Sequence, residues 1–407
     1  MSTVAGTKPL ADLRVMELGQ IYNGPYCGLL FAHLGADVVK IESPRGELLR
    51  FREDPNVESR EFLMLNSSKR SLPIDLKTDE GKAVFFDLVD QCDVLIENFS
   101  VGVMDRLGLG YEAVHARNSR IVYARGTGYG TSGPLSGVQA MDITIQAFSG
   151  VLATTGFPDG PPVKSGPAFA DFIGGAHLFA GAMAAIHKRD VTGAGSLVEV
   201  AMYDSVVPTL ASPLAAAENK KPVPERTGNR HSGLAVAPYN VYEAADGHVA
   251  IFCVSNRHWR RLVDVMGQPE LLEDERFGTP HSRARHMDAV DNIVGAWALA
   301  RSRAEIFEQL NEQGVPAAPV QSVEEVAHDP HLRDNGMVQT VMHPVLGEST
   351  VPGSAIRIDG QQAVCRIAPT LGADTDDVLR DVLHYSPEKI DSLRDLGVVG
   401  AESRASA

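Results

Sequence analysis

One acidic residue, Asp171, stands among small and turn-forming residues in the stretch Ser165-Gly-Pro-Ala-Phe-Ala-Asp-Phe-Ile-Gly-Gly-Ala176. After Gly174-Gly175 the chain has few helix breakers and runs to His187-Lys-Arg189, basic residues that the C-terminal end of a helix dipole favours. We therefore predict a helix with Asp171 at or just before its first turn. Unpaired backbone N–H groups there would keep the carboxylate ionised.

Two interpretations of Asp171 follow from its surroundings. Aspartate is among the commonest residues to cap a helix, so an ordinary N-cap is the simpler one. Against it, the residue three positions later is Gly174, so no capping box can form. The glycines also leave open space beside the carboxylate, as a site approached by a bulky reactant would need.

Basic residues offer further candidate sites. Lys69, Arg70 and Arg106 could attract phosphates, and cationic residues of a second region could bind an acid. That second set is Arg230, His231, Asn256, Arg257 and His258. The alternative for both sets is a solvated surface, where most basic residues lie. The histidines, including His177 and His187, show no partner cluster that would predict a metal site.

The elements that would position these residues begin with a βαβ unit. Leu13–Leu18 alternates like a strand, Tyr26–Leu34 reads as a helix ending at Gly35, and Asp37–Glu42 forms a second strand. This order implies a parallel sheet with its ligand edge at the strand carboxyl ends. The turn Gly19–Gly24 is not the GxGxxG fingerprint, which disfavours an NAD enzyme.

Further strands are predicted after Arg70 and at Val94–Ile96, Ile121–Arg125 and Ser196–Met202. The prolines of residues 206–230 indicate a linker. A second, small α+β domain then begins with a hairpin, Tyr239–Tyr242 and His248–Val254, and continues with helices.

Composition narrows the class of protein. The chain has 407 residues with 44% hydrophobic content and a net charge of −15, which argues against nucleic acid or an anionic membrane surface as the main partner. The four cysteines are scattered without a CxxC pair, which favours a reducing, cytoplasmic setting. We expect neither a signal peptide nor a membrane span.

Many short strings, in order along almost the whole chain, resemble the class III CoA-transferases of the formyl-CoA transferase and carnitine CoA-transferase type. The strings are Gly24-Pro25, Gly35 to Glu42, Asn66 to Asp75, Glu97-Asn-Phe99, Ala153-Thr-Thr-Gly156, Asp159-Gly-Pro-Pro162, the Asp171 stretch, Thr192 to Gly195, Met202-Tyr-Asp204, Ala327-His-Asp-Pro330 and Thr375-Asp-Asp-Val378.

The resemblance implies an α/β fold: a Rossmann-like, parallel-sheet large domain built from both chain ends, plus a small α+β domain, in an interlocked homodimer. We expect a first large-domain part at 1–205, a linker at 206–228, the small domain at 229–315, and the return linker with the rest of the large domain at 316–407. The active site would lie between the large domain of one chain and the small domain of the other.

The resemblance also implies the chemistry. Asp171 matches the family's nucleophile, which attacks an acyl-CoA thioester to form a mixed anhydride and then an aspartyl-CoA thioester, before an acceptor carboxylate reverses the sequence. CoA would be a substrate, with no permanently bound cofactor and no metal. The residues that match CoA-binding positions are Ile21, Tyr22, Asn23, Ile74, Asn98, Phe99, Arg106 and Met202.

This chain departs from the family pattern at several positions. Ser43 and Gln139 replace an arginine and a lysine that contact CoA, and Gly233–Ala237 stands where formyl-CoA transferase has a glycine-rich loop, so oxalate is not expected as acceptor.

Two alternatives to the transferase remain. A 2-methylacyl-CoA racemase shares the fold and uses a His-Asp pair as an acid/base group. In this chain the matching positions hold Met141-Asp142, and methionine cannot carry a proton. A CoA-binding protein without catalysis would have no evident need of Asp171.

Overall fold

The computed structural model describes residues 8–219, 224–363 and 365–400. The chain forms two compact units. The first combines the chain up to Ile145, Pro167–Val206 and the chain from Asp329 onward; the second combines Gln146–Gly166 and Val207–His328.

A six-stranded parallel sheet forms the centre of the first unit. Its strands are β1 Arg14–Glu17, β2 Asp37–Glu42, β3 Arg70–Pro73, β4 Val94–Glu97, β5 Val122–Thr127 and β6 Ser196–Ala201. They are ordered β3-β2-β1-β4-β5-β6 and all pair in parallel. This is the strand order of the Rossmann fold, in which the direction of winding reverses between β1 and β4. The predicted α/β class is confirmed.

The other strands form two small antiparallel sheets. They are β7 Tyr239–Ala244, β8 Gly247–Phe252, β9 Ala317–Pro319, β10 Val338–His343 and β11 Gly347–Pro352.

The helices, in chain order, are α1 Asn23–His33, α2 Arg60–Asn66, α3 Asp79–Val89, α4 Val103–Leu107, α5 Tyr111–Arg117, α6 Asp142–Phe148, α7 Val151–Thr154, α8 Phe169–Thr192, α9 Met202–Val206, α10 Ala211–Glu218, α11 Asn256–Met266, α12 Pro280–Arg285, α13 Met287–Leu299, α14 Arg303–Glu312, α15 Val323–Ala327, α16 Pro330–Asp334, α17 Thr375–Asp377 and α18 Pro387–Asp395.

Alternate residues of the central strands enter two separate cores, one on each face of the sheet. Val15 packs with α1 and α8, whereas the next residue, Met16, packs with α3 and with residues of the C-terminal region such as Leu379 and Leu393. Because both faces are covered, the strands are apolar on both sides. Segments from both ends of the chain therefore build the first unit.

The second unit has its own core between the sheet β7-β8-β9 and helices α11, α13 and α14. The predicted hairpin is confirmed as the antiparallel pair β7 and β8. Residues 317–319, assigned by the sequence to the return linker, instead form the third strand, β9, which pairs with β8.

The compact units differ from the predicted domain bounds in two further places. Residues 146–166 belong to the second unit, and that unit continues to His328. The predicted linker holds a short 3₁₀ segment, Val207–Leu210, and then α10. Pro208 and Pro213 lie near the starts of these segments, where a missing N–H costs nothing, so these two prolines do not mark irregular chain. Residues 220–223 of this stretch lie outside the described residues.

Helix α8 is long and apolar enough, by length and composition alone, to cross a membrane. Its buried face, with Leu178, Ala182 and Ile186, packs against the central sheet. The core helix of a globular domain passes the same test of composition.

Candidate functional site

A cleft of about 310 Å³ lies at the carboxyl edge of the central sheet, within the first unit. Its walls come from the chain that ends or follows strands β1, β4, β5 and β6, together with residues 136–141 and the start of α8. The cleft thus lies where the strand order reverses, the place at which open parallel sheets bind their ligands.

Asp171 reaches this cleft from the first turn of α8, as predicted. The helix begins at Phe169, and the N-cap residue, Ala168, makes no side-chain cap. The backbone N–H of Ala170 donates instead to Asp142 Oδ1 at 2.9 Å. The interpretation of Asp171 as an ordinary N-cap is therefore wrong, because Asp142 binds the helix start and leaves Asp171 facing the cleft.

The expectation that the helix start keeps Asp171 ionised is also wrong. Burial, and to a lesser extent the negative charge of Asp142, raises the pKa of Asp171 from 3.8 to about 7. Desolvation and a like charge both disfavour the carboxylate. Near pH 7 the side chain is shared between its acid and its carboxylate.

Asn23, at the start of α1, connects the turn after β1 to the backbone of Asp171. Its side chain is buried, lines the cleft and donates from Nδ2 to the backbone oxygen of Asp171 at 3.2 Å. A Cβ on Gly174 would lie 2.5 Å from Nδ2, and one on Gly126 would lie 2.2 Å from Oδ1. These two glycines therefore make room for the Asn23 amide, a packing role that the sequence did not reveal.

Asn98 fastens the chain after β4 to the chain after β1. Its Oδ1 accepts the Gln20 N–H at 2.7 Å, and its Nδ2 donates to the Gln20 oxygen at 3.0 Å. The neighbouring Phe99 N–H donates to Glu97 at 2.9 Å. Asn98 and Phe99 both line the cleft.

Six of the predicted site residues meet at the cleft, and they are Asp171, Ile21, Asn23, Asn98, Phe99 and Met202. Gln139, one of the departures from the family pattern, lines it too, and Ser100 Oγ donates to its amide oxygen at 3.3 Å. Ser43 lies outside the lining and donates to the Gly46 oxygen.

Three predicted CoA-binding residues, Tyr22, Ile74 and Arg106, are not part of the cleft lining among the described residues. The hydroxyl of Tyr22 bonds to Glu61, and its ring stacks on Phe172 with centroids 5.8 Å apart. Ile74 is buried in the core. Arg106 is exposed on α4, the helix whose first residue lines the cleft.

Three of the basic candidates are engaged in ion pairs. Lys69 is buried and donates to Glu17 at 2.9 Å, and Arg70 pairs with Asp37, so neither is a free phosphate site. In the second unit Arg230 pairs with Asp288 and Asp291, each at 2.7 Å. Within the predicted acid-binding patch, the charge of Arg230 is therefore already paired with carboxylates of the chain.

The composition of the lining limits the chemistry. Among the described residues around the cleft, Asp171 is the only carboxylate, and neither histidine nor lysine is present. The hydroxyls there, such as Thr127, thus have no histidine or lysine in the lining to activate them. No cluster of possible metal ligands occurs within the described residues.

The fold and the cleft together define an α/β protein with a carboxylate at the ligand edge of a Rossmann-like sheet. Residues 10–375 match CoA-transferase family III, and the chain belongs to that family. It is thus an enzyme that handles CoA thioesters, and the resemblance in the sequence is confirmed.

Named relatives cover nearly the whole chain. The chain is 34% identical to the formyl-CoA:oxalate CoA-transferase of Streptomyces coelicolor, over 96% of this chain and 99% of that protein. It is 38% identical to the succinyl-CoA:mesaconate CoA-transferase of Haloarcula hispanica, over 86% of this chain and 90% of that one. A CaiB/BaiF family protein from Brucella suis has a similar structure, with a TM-score of 0.82, 31% identity, and coverage of 93% of this chain and all of that one.

Proposed function

We propose that the protein moves CoA from an acyl-CoA donor to a free carboxylic acid, with Asp171 as the nucleophile. The observation that carries this proposal is that Asp171 is the only carboxylate among the described residues lining a cleft at the ligand edge of the sheet. The family membership supplies the substrate class.

The reaction proceeds by exchange of acyl bonds. The Asp171 carboxylate attacks the thioester carbonyl of the donor, and the carbon–sulfur bond breaks to give a mixed anhydride and CoA thiolate. The thiolate attacks the aspartyl carbonyl of the anhydride, which releases the donor acid and leaves an aspartyl-CoA thioester. An acceptor carboxylate then attacks this thioester, and the released thiolate attacks the acceptor acyl group, which regenerates Asp171.

The environment of Asp171 suits this role. A carboxylate with a raised pKa is a stronger nucleophile once ionised, because nucleophilicity rises with basicity. Its partial burial also limits the access of water, which would otherwise hydrolyse the anhydride and lose the thioester energy.

The acceptor is assigned only as a free carboxylic acid. The two named relatives use different acids, oxalate and mesaconate, at similar identity to this chain. A panel of acyl-CoA donors and free acids, with products read by mass spectrometry, identifies the pair.

Variants of Asp171 test the mechanism. We expect Asp171→Ala to lower transfer by roughly 10³-fold or more while CoA binding stays within a few fold. In the wild type, an acyl-CoA donor without acceptor should leave a hydroxylamine-sensitive adduct on the peptide that contains Asp171. Unchanged turnover of Asp171→Ala would reject this mechanism. Exchange of the substrate α-proton with solvent, without any adduct, would indicate a racemase instead.

A further inference from the structure

The turn between β1 and α1 adopts a strained conformation beside the proposed nucleophile. Ile21 has a φ of +64°, in the left-handed region that a β-branched residue rarely occupies. Its side chain lines the cleft together with Asp171. Such a conformation persists only where surrounding groups hold it.

The side chains of Lys40 and Asn98 hold the residues just before Ile21. The fully buried Lys40 donates from Nζ to the Gly19 oxygen at 2.8 Å. Asn98 bonds to both the N–H and the oxygen of Gln20. Hydrogen bonds thus hold the backbone of both residues that precede Ile21, Gly19 and Gln20.

Glu47 holds Ile21 itself. The Ile21 N–H donates to Glu47 Oε2 at 2.9 Å. The other oxygen of Glu47 lies 3.6 Å from Lys40 Nζ, and the Glu47 backbone N–H donates to Glu42 at 3.1 Å. Glu47 is only 7% exposed and is not part of the cleft lining, so its carboxylate acts from behind the turn.

The turn is connected to the proposed nucleophile through Asn23. Asn23, two residues after Ile21, donates to the backbone oxygen of Asp171, and its amide fits between Gly126 and Gly174 with no spare room. A shift of Ile21 would therefore move Asn23 against the first turn of α8.

We propose that Glu47 is a positioning residue of the transfer reaction, because its bond to the Ile21 N–H holds the strained turn that seats Asn23 against the helix carrying Asp171. This inference rests on the proposed function of Asp171. Glu47 does not touch the substrate.

Two substitutions separate the hydrogen bond of Glu47 from its charge. Glu47→Gln keeps an acceptor for the Ile21 N–H, whereas Glu47→Ala removes it, and both remove the negative charge near Lys40. We expect kcat to stay within about threefold in Glu47→Gln and to fall about 100-fold in Glu47→Ala, the loss that a misplacement of about 1 Å can cause. Equal kcat values for the two variants would overturn the proposal.

Glu58 provides the matched control. Its carboxylate also pairs with a buried cation, Arg50 at 2.8 Å, and accepts one backbone N–H, that of Leu371 at 3.0 Å, but it makes no bond to the turn. We expect Glu58→Ala to lower the melting temperature much as Glu47→Ala does, with kcat per folded protein within about threefold of the wild type. A kcat loss as large as that of Glu47→Ala would show a general structural effect and overturn the proposal.

Relief of the strain gives a second, independent test. Glycine adopts a positive φ freely, so the turn needs less support in an Ile21→Gly background. There we expect Glu47→Ala to lower kcat by less than about tenfold, against about 100-fold with Ile21 present. The same factor in both backgrounds would overturn the proposal.

Adduct trapping, together with turnover of the variants, separates the role of Glu47 from the role of Asp171. If Asp171 forms the hydroxylamine-sensitive adduct but Glu47→Ala turns over like the wild type, the inference about Glu47 fails alone. If Asp171→Ala turns over normally, the proposed function fails, whatever Glu47 does.

Discussion

The protonation of Asp171 is set by residues that lie far from it in the sequence. Burial in the cleft raises its pKa most, and the negative charge of Asp142, 29 positions earlier, adds to this effect. Asp142 is held in place because it accepts the Ala170 N–H at the start of α8. A single carboxylate therefore both binds the helix start and makes the proposed nucleophile more basic.

The pH dependence of transfer follows from this arrangement. Only the carboxylate form of Asp171 attacks, so kcat/KM should fall about tenfold per pH unit below a pKa of about 7 and level off above it. Asp142→Asn keeps an oxygen for the Ala170 N–H but removes the charge. Because a like charge raises a carboxyl pKa, we expect this variant to shift the acid limb of the profile to lower pH.

Asp190→Asn is the control for this experiment. Asp190 lies on the same helix near its opposite end, beside Arg189, so its loss should leave the profile in place. Identical profiles for Asp142→Asn and the wild type would show that the charge of Asp142 does not reach Asp171.

At the scale of elements, helix α8 is both a core element and the carrier of Asp171. Gly174, within the helix, faces Asn23 and Met202, and an added Cβ would lie 2.5 Å from Asn23 Nδ2 and 3.0 Å from Met202 Cγ. A helix interior normally favours alanine over glycine, so Gly174 permits the close contact at a cost in helix stability.

Gly174→Ala tests this close approach. We expect it to displace the Asn23 amide and to lower kcat by about tenfold or more, since Asn23 bonds to the backbone oxygen of Asp171. Gly295→Ala in α13 is the matched control: the nearest atom to its new Cβ would be 3.7 Å away, an ordinary contact. That variant should gain about 0.5–1 kcal/mol in the free energy of unfolding, with activity unchanged. A fully active, stabilised Gly174→Ala would contradict the packing argument.

Local patterns in the sequence predicted the elements of the first unit well. Alternation and turn residues gave the βαβ unit, and the small-residue stretch placed Asp171 in the first turn of its helix. What the sequence could not give depends on tertiary partners. The charged stretch after Pro44 contributes buried residues, Glu47 and Arg50, whose burial follows from partners on other segments. Ile74 matched a CoA position, yet its side chain packs in the core.

At the scale of the whole molecule, we propose that the chain forms a homodimer. The family resemblance supplies the argument, because it implies an interlocked homodimer with a shared active site.

The expected species in solution is a dimer of twice 43.7 kDa. Two chains that each carry a net charge of −15 repel one another, and this repulsion grows as salt is removed. A dimer held only by weak surface contacts should then dissociate at low ionic strength, whereas an interlocked dimer should not. We therefore expect light scattering after size exclusion to give the dimer mass at all protein concentrations, in both low and high salt. A fully active 43.7 kDa species at low salt would rule out a site shared between two chains.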